Sequence, residues 1–335
     1  MIIIQILLGG ITRLTGSGLS ITEWKPIMGA LPPMNAQDWQ TAFEKYQQIA
    51  QYKYLNSHYS LYDFQFIYFW EWFHRLWARL LGVVFTIGFI WFLVRGYFKK
   101  DMVVPLVILF LLGGAQGLIG WIMVASGLND TDLYVNHIKL ALHFMAALLL
   151  LVYTFWFALK LLVPESKLVP TDSGRRLTLI FISLLTIQLI YGAFMAGLKA
   201  APYAPTWPDM NGVFMPDSMN TESWLNNPFN VQFIHRLLAY ILVIYGLYWF
   251  VAMSRYASAS RFFATVHWMP LLLIIVQLVL GILTVLEGPR MGSSNFGAYE
   301  WLAQLHQLTA MFLLMSLFLA LYLFQTQESG FSEPE

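Results

Sequence analysis

The chain has 335 residues, of which 58% are hydrophobic and 11% are charged, and its formal net charge at pH 7 is +1. This charge balance offers no basic surface for nucleic acid, and the absence of cysteine excludes disulfides, thiolate metal sites and cysteine-held iron–sulfur clusters. Several apolar runs approach the length of about 20 residues that crosses a bilayer, so the sequence predicts an all-α polytopic membrane protein.

Eight apolar runs are the predicted membrane spans. In chain order they cover residues 1–12, 64–94, 102–124, 134–159, 177–198, 229–253, 268–286 and 300–324. The first run is shorter than a span requires, so we expect it to belong to a helix that begins upstream. A cleavable signal peptide, the alternative, would need a basic segment before its apolar core. Within the long loop 13–63, the stretch "NAQDWQTAFEKYQQIAQYKYL" predicts an amphipathic surface helix.

Basic residues in the short loops predict the orientation in the membrane. The loops after the second, fourth and sixth runs carry nine of them, Arg95, Lys99, Lys100, Lys160, Lys167, Arg175, Arg176, Arg255 and Arg261. The loops 125–136, 199–228 and 287–299 carry only Lys199 and Arg290. Because cytoplasmic loops are enriched in Lys and Arg, we expect both termini on the cytoplasmic (or matrix) side.

Four of the seven histidines indicate an internal repeat. They lie near the outer starts of the even-numbered runs and are His74, His143, His235 and His306. The first and third are 161 residues apart, and the second and fourth are 163 residues apart. Local sequences agree too, since "EWFHRLWARLLG" is similar to "QFIHRLLAYILV". The repeat predicts two tandem pseudo-symmetric four-helix bundles, residues 1–165 and 166–335.

The odd-numbered runs share a second motif, a glutamine followed four residues later by a glycine. The pairs are Gln5 and Gly9, Gln116 and Gly120, Gln188 and Gly192, and Gln277 and Gly281. Glycine on a membrane helix permits close approach to its backbone, and for a single glycine helix packing is a sufficient explanation. Four such pairs in register with four histidines favour a flat, bulky ligand.

Ionisable side chains inside a membrane indicate function. Two histidines on separate helices at similar depth, in each half of the chain, predict axial ligands of a haem iron. The two pairs are His74 with His143 and His235 with His306. Copper or zinc, the alternative metals, would require a further ligand close by. The other histidines, His58, His137 and His267, are interpreted as loop or interfacial residues.

The second run opens with "FWEWFHRLWARLLG" (69–82), which places charges next to a predicted ligand. On a helix, Glu71 neighbours His74 and Arg75, so its carboxylate is a candidate to accept or relay protons. The alternative is a simple salt bridge between Glu71 and Arg75. In the second half the equivalent residue is Gln232, so the repeat keeps the histidine and the arginine but loses the acid. This asymmetry predicts chemistry in the first half and a permanent cofactor in the second.

Three basic residues near the histidines are candidates for binding haem propionates. Arg75 and Arg236 each follow a predicted ligand directly, and the guanidinium group suits carboxylates. Lys139, four residues before His143, is a further candidate, although a lysine here also fits a surface charge that extends to the membrane interface.

These motifs resemble the haem A synthase family of the proteobacterial and mitochondrial type. The matching stretches are "GGITRLTGSGLSITEWKPIMGALPP" (9–33), "FWEWFHRLWARLLG" (69–82), "TWPDMNG" (206–212), "FIHRLLAY" and "QLHQLTA". The resemblance covers nearly the whole chain. One branch of the family carries a cysteine pair in the first outer loop, and this chain has no cysteine, so a mechanism that uses those thiols does not apply here.

The resemblance implies an oxidoreductase that converts haem O to haem A. It would oxidise the C8 methyl group to a formyl group by successive hydroxylations, use haem b as cofactor, and supply terminal cytochrome oxidase. The family pattern gives the substrate haem to His74 and His143, haem b to His235 and His306, and catalysis to Glu71. Around these pairs we assign Gln5, Gln116 and Arg75 to the substrate site and Gln188, Gln277 and Arg236 to the cofactor site.

The expected location is the bacterial cytoplasmic membrane, with both haem sites towards the periplasm. Expected partners are haem O synthase, cytochrome oxidase assembly factors, an unidentified electron-transfer protein and membrane lipid, and the sequence leaves a homo-oligomer open. Two other functions remain open: a quinone-linked dihaem b-type electron-transfer protein, since bis-histidine iron has no free site for substrate, and a haem transporter or chaperone. The asymmetry between Glu71 and Gln232 favours the enzyme.

Overall fold

The computed structural model describes residues 1–24, 28–293 and 296–325. Within these residues the fold is helical, and no β-strand forms beyond one isolated bridge. The helices are α1 (Ile2–Leu14), α2 (Ala36–Tyr46), α3 (Leu61–Val94), α4 (Lys100–Ala125), α5 (His137–Leu162), α6 (Asp172–Gly197), α7 (Pro228–Ser254), α8 (Arg261–Val266), α9 (Met269–Leu286) and α10 (Ala298–Leu323). The all-α class is confirmed.

Seven segments are long and apolar enough to cross a membrane: α3, α4, α5, α6, α7, the combined segment Arg261–Leu286, and α10. They correspond to seven of the eight predicted spans. The first predicted span is the shorter apolar helix α1, which has 13 residues. At a rise of 1.5 Å per residue it is about 20 Å long, less than the thickness of about 30 Å of the hydrocarbon core.

Side-chain caps begin three of the histidine-bearing helices. Ser60 forms a capping box with Asp63 at the start of α3, Asn136 caps α5, and Asn227 caps α7. The fourth, α10, begins with Glu300 accepting hydrogen bonds from loop amides. These caps satisfy amide groups that helices otherwise leave without partners. They fix where each helix begins, and we call this side of the molecule the outer side.

Helix packing is densest in the second half of the chain. There α6 packs on α7 and α9 packs on α10, while α5 and α1 join the two halves through α6 and α10. The main hydrophobic core lies at this junction and includes Leu148, Phe181, Trp249, Met311 and Leu317. By contrast, the most apolar windows of α3 and α4 contain no buried residue. The first half is therefore the more open one.

The loop 13–63 folds onto the outer end of α3. The predicted amphipathic helix is confirmed over Ala36–Tyr46, and beyond it the chain turns and forms a separate helical turn, Tyr52–Asn56. Its buried face packs on the protein, with the Phe43 and Phe64 rings 5.1 Å apart. The aromatic face of α2 thus holds the loop over the histidine-bearing helix α3.

Candidate haem sites

Each of the four repeat histidines packs against the repeat glycine of a neighbouring helix. A β-carbon added to the glycine would meet the imidazole ring at 3.2 Å for Gly9 and His74, 2.8 Å for Gly120 and His143, 3.2 Å for Gly192 and His235, and 2.9 Å for Gly281 and His306. The glycines therefore make room for the imidazoles, which is a more specific role than the close approach of a flat ligand that the sequence suggested. The repeated spacing of glutamine, glycine and histidine reflects a repeated contact.

Three of the repeat glutamines hydrogen-bond the same rings. The side-chain Nε2 atoms of Gln116, Gln188 and Gln277 lie 3.2, 3.4 and 3.1 Å from ring nitrogens of His143, His235 and His306. These bonds orient each ring, as the outer partners of metal-binding histidines do.

Buried polar atoms without partners collect around the histidines. Within the described residues, the side-chain oxygen of all four repeat glutamines is buried and has no hydrogen-bond partner, and the same holds for Nδ1 of His235. An unsatisfied buried polar atom costs free energy, so such a cluster indicates a place where another group binds. The fourth glutamine, Gln5 on α1, belongs to this set although no bond to its histidine forms.

The histidine pairs fit a bis-histidine iron. The ring centroids of His235 and His306 lie 6.3 Å apart, with their planes at 72°. Two imidazoles bound to opposite sides of one metal atom need this kind of separation, since each metal–nitrogen bond is about 2 Å long. In the first half, His74 and His143 have the corresponding contacts with Gly9 and Gly120. In the described part of the chain no three metal-ligating His, Asp or Glu side chains converge, as copper or zinc would require.

Glu71 is buried, with 2% of its surface exposed, and both its oxygens have partners. Oε2 accepts hydrogen bonds from the Ser20 hydroxyl at 2.7 Å and from the Ile21 amide at 2.8 Å. Oε1 forms an ion pair with Arg75 at 2.6 Å. The salt bridge that was one interpretation of the sequence therefore exists, and the same carboxylate also ties the loop 13–63 to α3.

The second half contains an equivalent contact with the opposite polarity. Gln232 is fully buried and donates to the carbonyl oxygen of Ala204 at 2.9 Å. Arg236 donates to the same carbonyl at 2.7 Å and to the Asp209 carbonyl at 2.8 Å. A glutamine can thus replace the acid because the second loop presents a carbonyl where the first presents donors. The difference between Glu71 and Gln232 therefore has a structural cause, the different loop groups that these side chains contact, in addition to any chemical one.

The two arginines are already engaged in the loops. Arg75 donates to the Ile21 carbonyl at 3.2 Å besides pairing with Glu71, and Arg236 binds two carbonyls. Their assignment to propionates stays a prediction. Sequence reasoning missed Ser20 and Ile21 as partners of Glu71, although both lie in the quoted loop motif "GSGLSIT".

The remaining histidines have local partners. His137, at the start of α5, hydrogen-bonds the Leu225 carbonyl at 3.0 Å, and His267, after α8, bonds the Ala264 carbonyl at 2.9 Å. His58 lies in a turn and stacks edge-on to Tyr59. The contacts of His58 and His137 agree with their interpretation as loop or interfacial residues, whereas His267 is buried, with 4% of its surface exposed, and stacks on Phe250.

Comparison with known proteins decides the family. The family model COX15-CtaA, described as a cytochrome oxidase assembly protein, matches residues 1–318. The chain belongs to this family. The match covers all four repeat histidines and both outer loops that contact Glu71 and Gln232, so the family fold contains the whole candidate site.

Curated relatives of this family member are named Heme A synthase. The one from Rhodospirillum centenum is 47% identical over 260 residues, which cover 74% of this chain and 68% of the relative. The one from Cereibacter sphaeroides is 39% identical over 307 residues, 86% of this chain and 78% of the relative. The one from Bartonella henselae is 41% identical over 297 residues, 84% and 80% of the two chains. No solved structure gives a significant match.

Proposed function

We propose that the chain is a haem A synthase, an oxidoreductase that converts the C8 methyl group of haem O to the formyl group of haem A for terminal cytochrome oxidase. The observation that carries this proposal is the paired set of glycine and histidine contacts in both halves of a chain whose relatives are named Heme A synthase. A dihaem electron-transfer protein would share the histidine pairs, but the comparisons favour the enzyme.

In this proposal the first half binds the substrate haem and the second half binds haem b. The difference in packing supports it. Gly113, Gly114 and Gly117 on α4 face open space, since nothing lies within 4 Å of an added β-carbon. The residues 161 positions later on α9 are Ile274, Ile275 and Leu278. A half with an open glycine face suits a ligand that enters and leaves, while a filled half suits a permanent cofactor.

The residues take the following roles in this reaction. His235 and His306 would hold haem b, which supplies the redox chemistry when bound. His74 and His143 would hold the substrate haem, with Gln116 orienting His143. Glu71 would accept a proton from the reacting centre, and the Ser20 hydroxyl, 2.7 Å from Oε2, offers the proton a route towards the outer loop.

The arrangement in the membrane is part of the proposal. Two tandem four-helix bundles, with α1 contributing the eighth span, would place both haem sites towards the periplasm and both termini in the cytoplasm. Haem O synthase, oxidase assembly factors and an electron-transfer protein remain the proposed partners. A fluorescent protein fused to the C-terminus should fluoresce, and an active periplasmic phosphatase fused at the same place would contradict the orientation.

Conversion in cells tests the function directly. Membranes of a host that makes haem O but not haem A should contain haem A, or its hydroxylated precursor, once this chain is expressed. Extracted haems would be separated and identified by mass, with the His74→Ala variant as the inactive control. If well-expressed chain leaves only haem O in the membranes, the proposed reaction is wrong.

A further inference from the structure

Lys199 occupies a position at which the other helix pairs have glycine. Eleven residues after each repeat glutamine the chain has Gly16, Gly127, Lys199 and Gly288. The backbone of Lys199 has a φ of 50°, close to the 68° of Gly16, which is a conformation that residues with a side chain rarely adopt. A lysine held where glycine fits better indicates that its side chain has a use.

The lysine lies at the seam between the halves, on the outer side of the histidines. It lies seven residues after Gly192, which contacts His235, and two residues beyond the end of α6, which places it about 10 Å further out than Gly192. Its Nζ atom lies 3.8 Å from the centroid of the Tyr134 ring, just before α5. The end of α6 is pressed onto α5 here, since a β-carbon on Gly197 would lie 2.6 Å from that of His137.

The positive charges at this seam, Lys199 and Arg13, have no carboxylate in direct contact within the described residues. Burial lowers the pKa of Lys199 to about 8, and the positive charge of Arg13, at the end of α1, contributes to the shift. Glu300 is within electrostatic range of Arg13, but its two oxygens accept the amides of Gly292 and Gly297.

Two neighbouring cations in a partly buried place need an anion to offset their desolvation. We propose that Lys199 and Arg13 form a carboxylate-binding site between the two halves, which binds a propionate of the porphyrin held by His235 and His306. This rests on the proposed function, because it requires a haem in the second half. Propionates are the anionic groups of a haem, and Lys199 follows the end of α6, the helix whose Gly192 contacts His235.

The test compares Lys199→Gly with Lys199→Arg in the purified full-length protein, reading haem b content and the reduction potential of the bound haem b. Lys199→Gly restores the repeat residue and removes backbone strain, so a lysine with only a structural role predicts an unchanged or higher Tm and an unchanged potential. The proposed site predicts a lower potential, because an unpaired propionate favours ferric iron, together with loss of haem b during purification. Lys199→Arg should stay close to wild type.

Matched variants keep the result decisive. Lys167→Gly removes the same charge from an exposed turn between α5 and α6 and should leave the haem b potential unchanged. Lys199→Asn tolerates the same backbone conformation and replaces Lys199→Gly if that variant misfolds. A wild-type potential and haem b content in both neutral variants would overturn the site, as would loss of haem O or haem A with haem b untouched. Haem b content and reduction potential can both be measured without conversion of haem O to haem A. A result against the propionate site is therefore distinct from a result against the proposed function.

Discussion

At the scale of single residues, the environment of Glu71 decides how its role can be tested. Replacing it with alanine would leave Arg75 without its carboxylate, and breaking a buried ion pair in this way costs about 3 to 5 kcal/mol. Loss of activity in that variant would therefore not separate catalysis from folding. Glutamine, which already stands at the equivalent position in the second half, keeps the size of the side chain and removes the charge, but its NH2 group would face the donors of Arg75 or Ile21, so a lower Tm is expected.

Glu71→Gln should retain haem b and stay folded, while conversion of haem O falls by about 100-fold or more, as expected for loss of a general acid or base. Haem b content, Tm and the haem A to haem O ratio would be measured together. Ser20→Ala removes one hydrogen bond to the same carboxylate and tests the proposed proton route, while haem b content and Tm report any structural effect. Equal conversion by Glu71→Gln and wild type would show that the acid only anchors the loop.

Gly120 makes a second test at the residue scale. Gly120→Ala brings a methyl group to 2.8 Å from the His143 ring, so the ring must move, at a cost of about 1 to 3 kcal/mol for overpacking. Gly117→Ala, three residues earlier on α4, meets nothing within 4 Å and should be neutral or stabilising by about 0.5 to 1 kcal/mol.

We expect Gly120→Ala to lose the substrate haem and keep haem b, while Gly117→Ala binds both. The absorption spectrum and haem mass analysis of each purified variant report this directly. If Gly120→Ala binds both haems normally, the glycine contact does not position the ligand.

At the scale of helices, the open face of α4 is what distinguishes the two halves. The double variant Gly113→Ile with Gly117→Leu gives α4 the residues that α9 has at the equivalent positions. The added side chains should fill the space beside His143 and exclude the substrate haem, so conversion should fall while haem b content stays at the wild-type level. Stoichiometric haem O or haem A in this variant would show that the open face is not part of the substrate site.

Much of the helical scale could be predicted from sequence, because apolar run length and the histidine spacing are local signals. Seven of the eight predicted spans are helices long enough to cross a membrane, and all four repeat glycines and three of the four repeat glutamines contact the histidine rings. The predicted run 268–286 matches α9, whereas the short helix α8 before it was not predicted. Pro270 follows at the start of α9, where a proline is tolerated in a first helical turn.

The contacts of Glu71 could not be predicted, because they join residues about 50 positions apart in the chain. No periodic pattern indicates that the Ile21 amide lies opposite this carboxylate, or that the second loop presents the Ala204 carbonyl to Gln232 instead. The sequence indicated Arg75 as the partner of Glu71, whereas the folded loop adds two more, the Ser20 hydroxyl and the Ile21 amide. The site Lys199 forms with Arg13 was missed for the same reason, since the two residues come together only in the folded chain.

At the scale of the whole molecule, the proposed function requires two haem sites of different kinds in one chain, a substrate site in the first half and a cofactor site in the second. The second half is closely packed, and the ring centroids of its two histidines lie 6.3 Å apart. The first half has an open glycine face and a buried carboxylate tied to the outer loop. A dihaem electron-transfer protein would have no need for such a difference, because both of its haems would stay bound and unmodified.

The most direct test is mass-resolved analysis of the haems bound to the purified protein after co-expression with a source of haem O. The wild type should contain haem b together with haem O, haem A or a hydroxylated intermediate. His235→Ala should lose haem b, whereas His74→Ala should keep haem b and lose the others. Two haem b per chain in the wild type, reduced to one by either substitution, would contradict the division between substrate and cofactor sites and favour the electron-transfer protein.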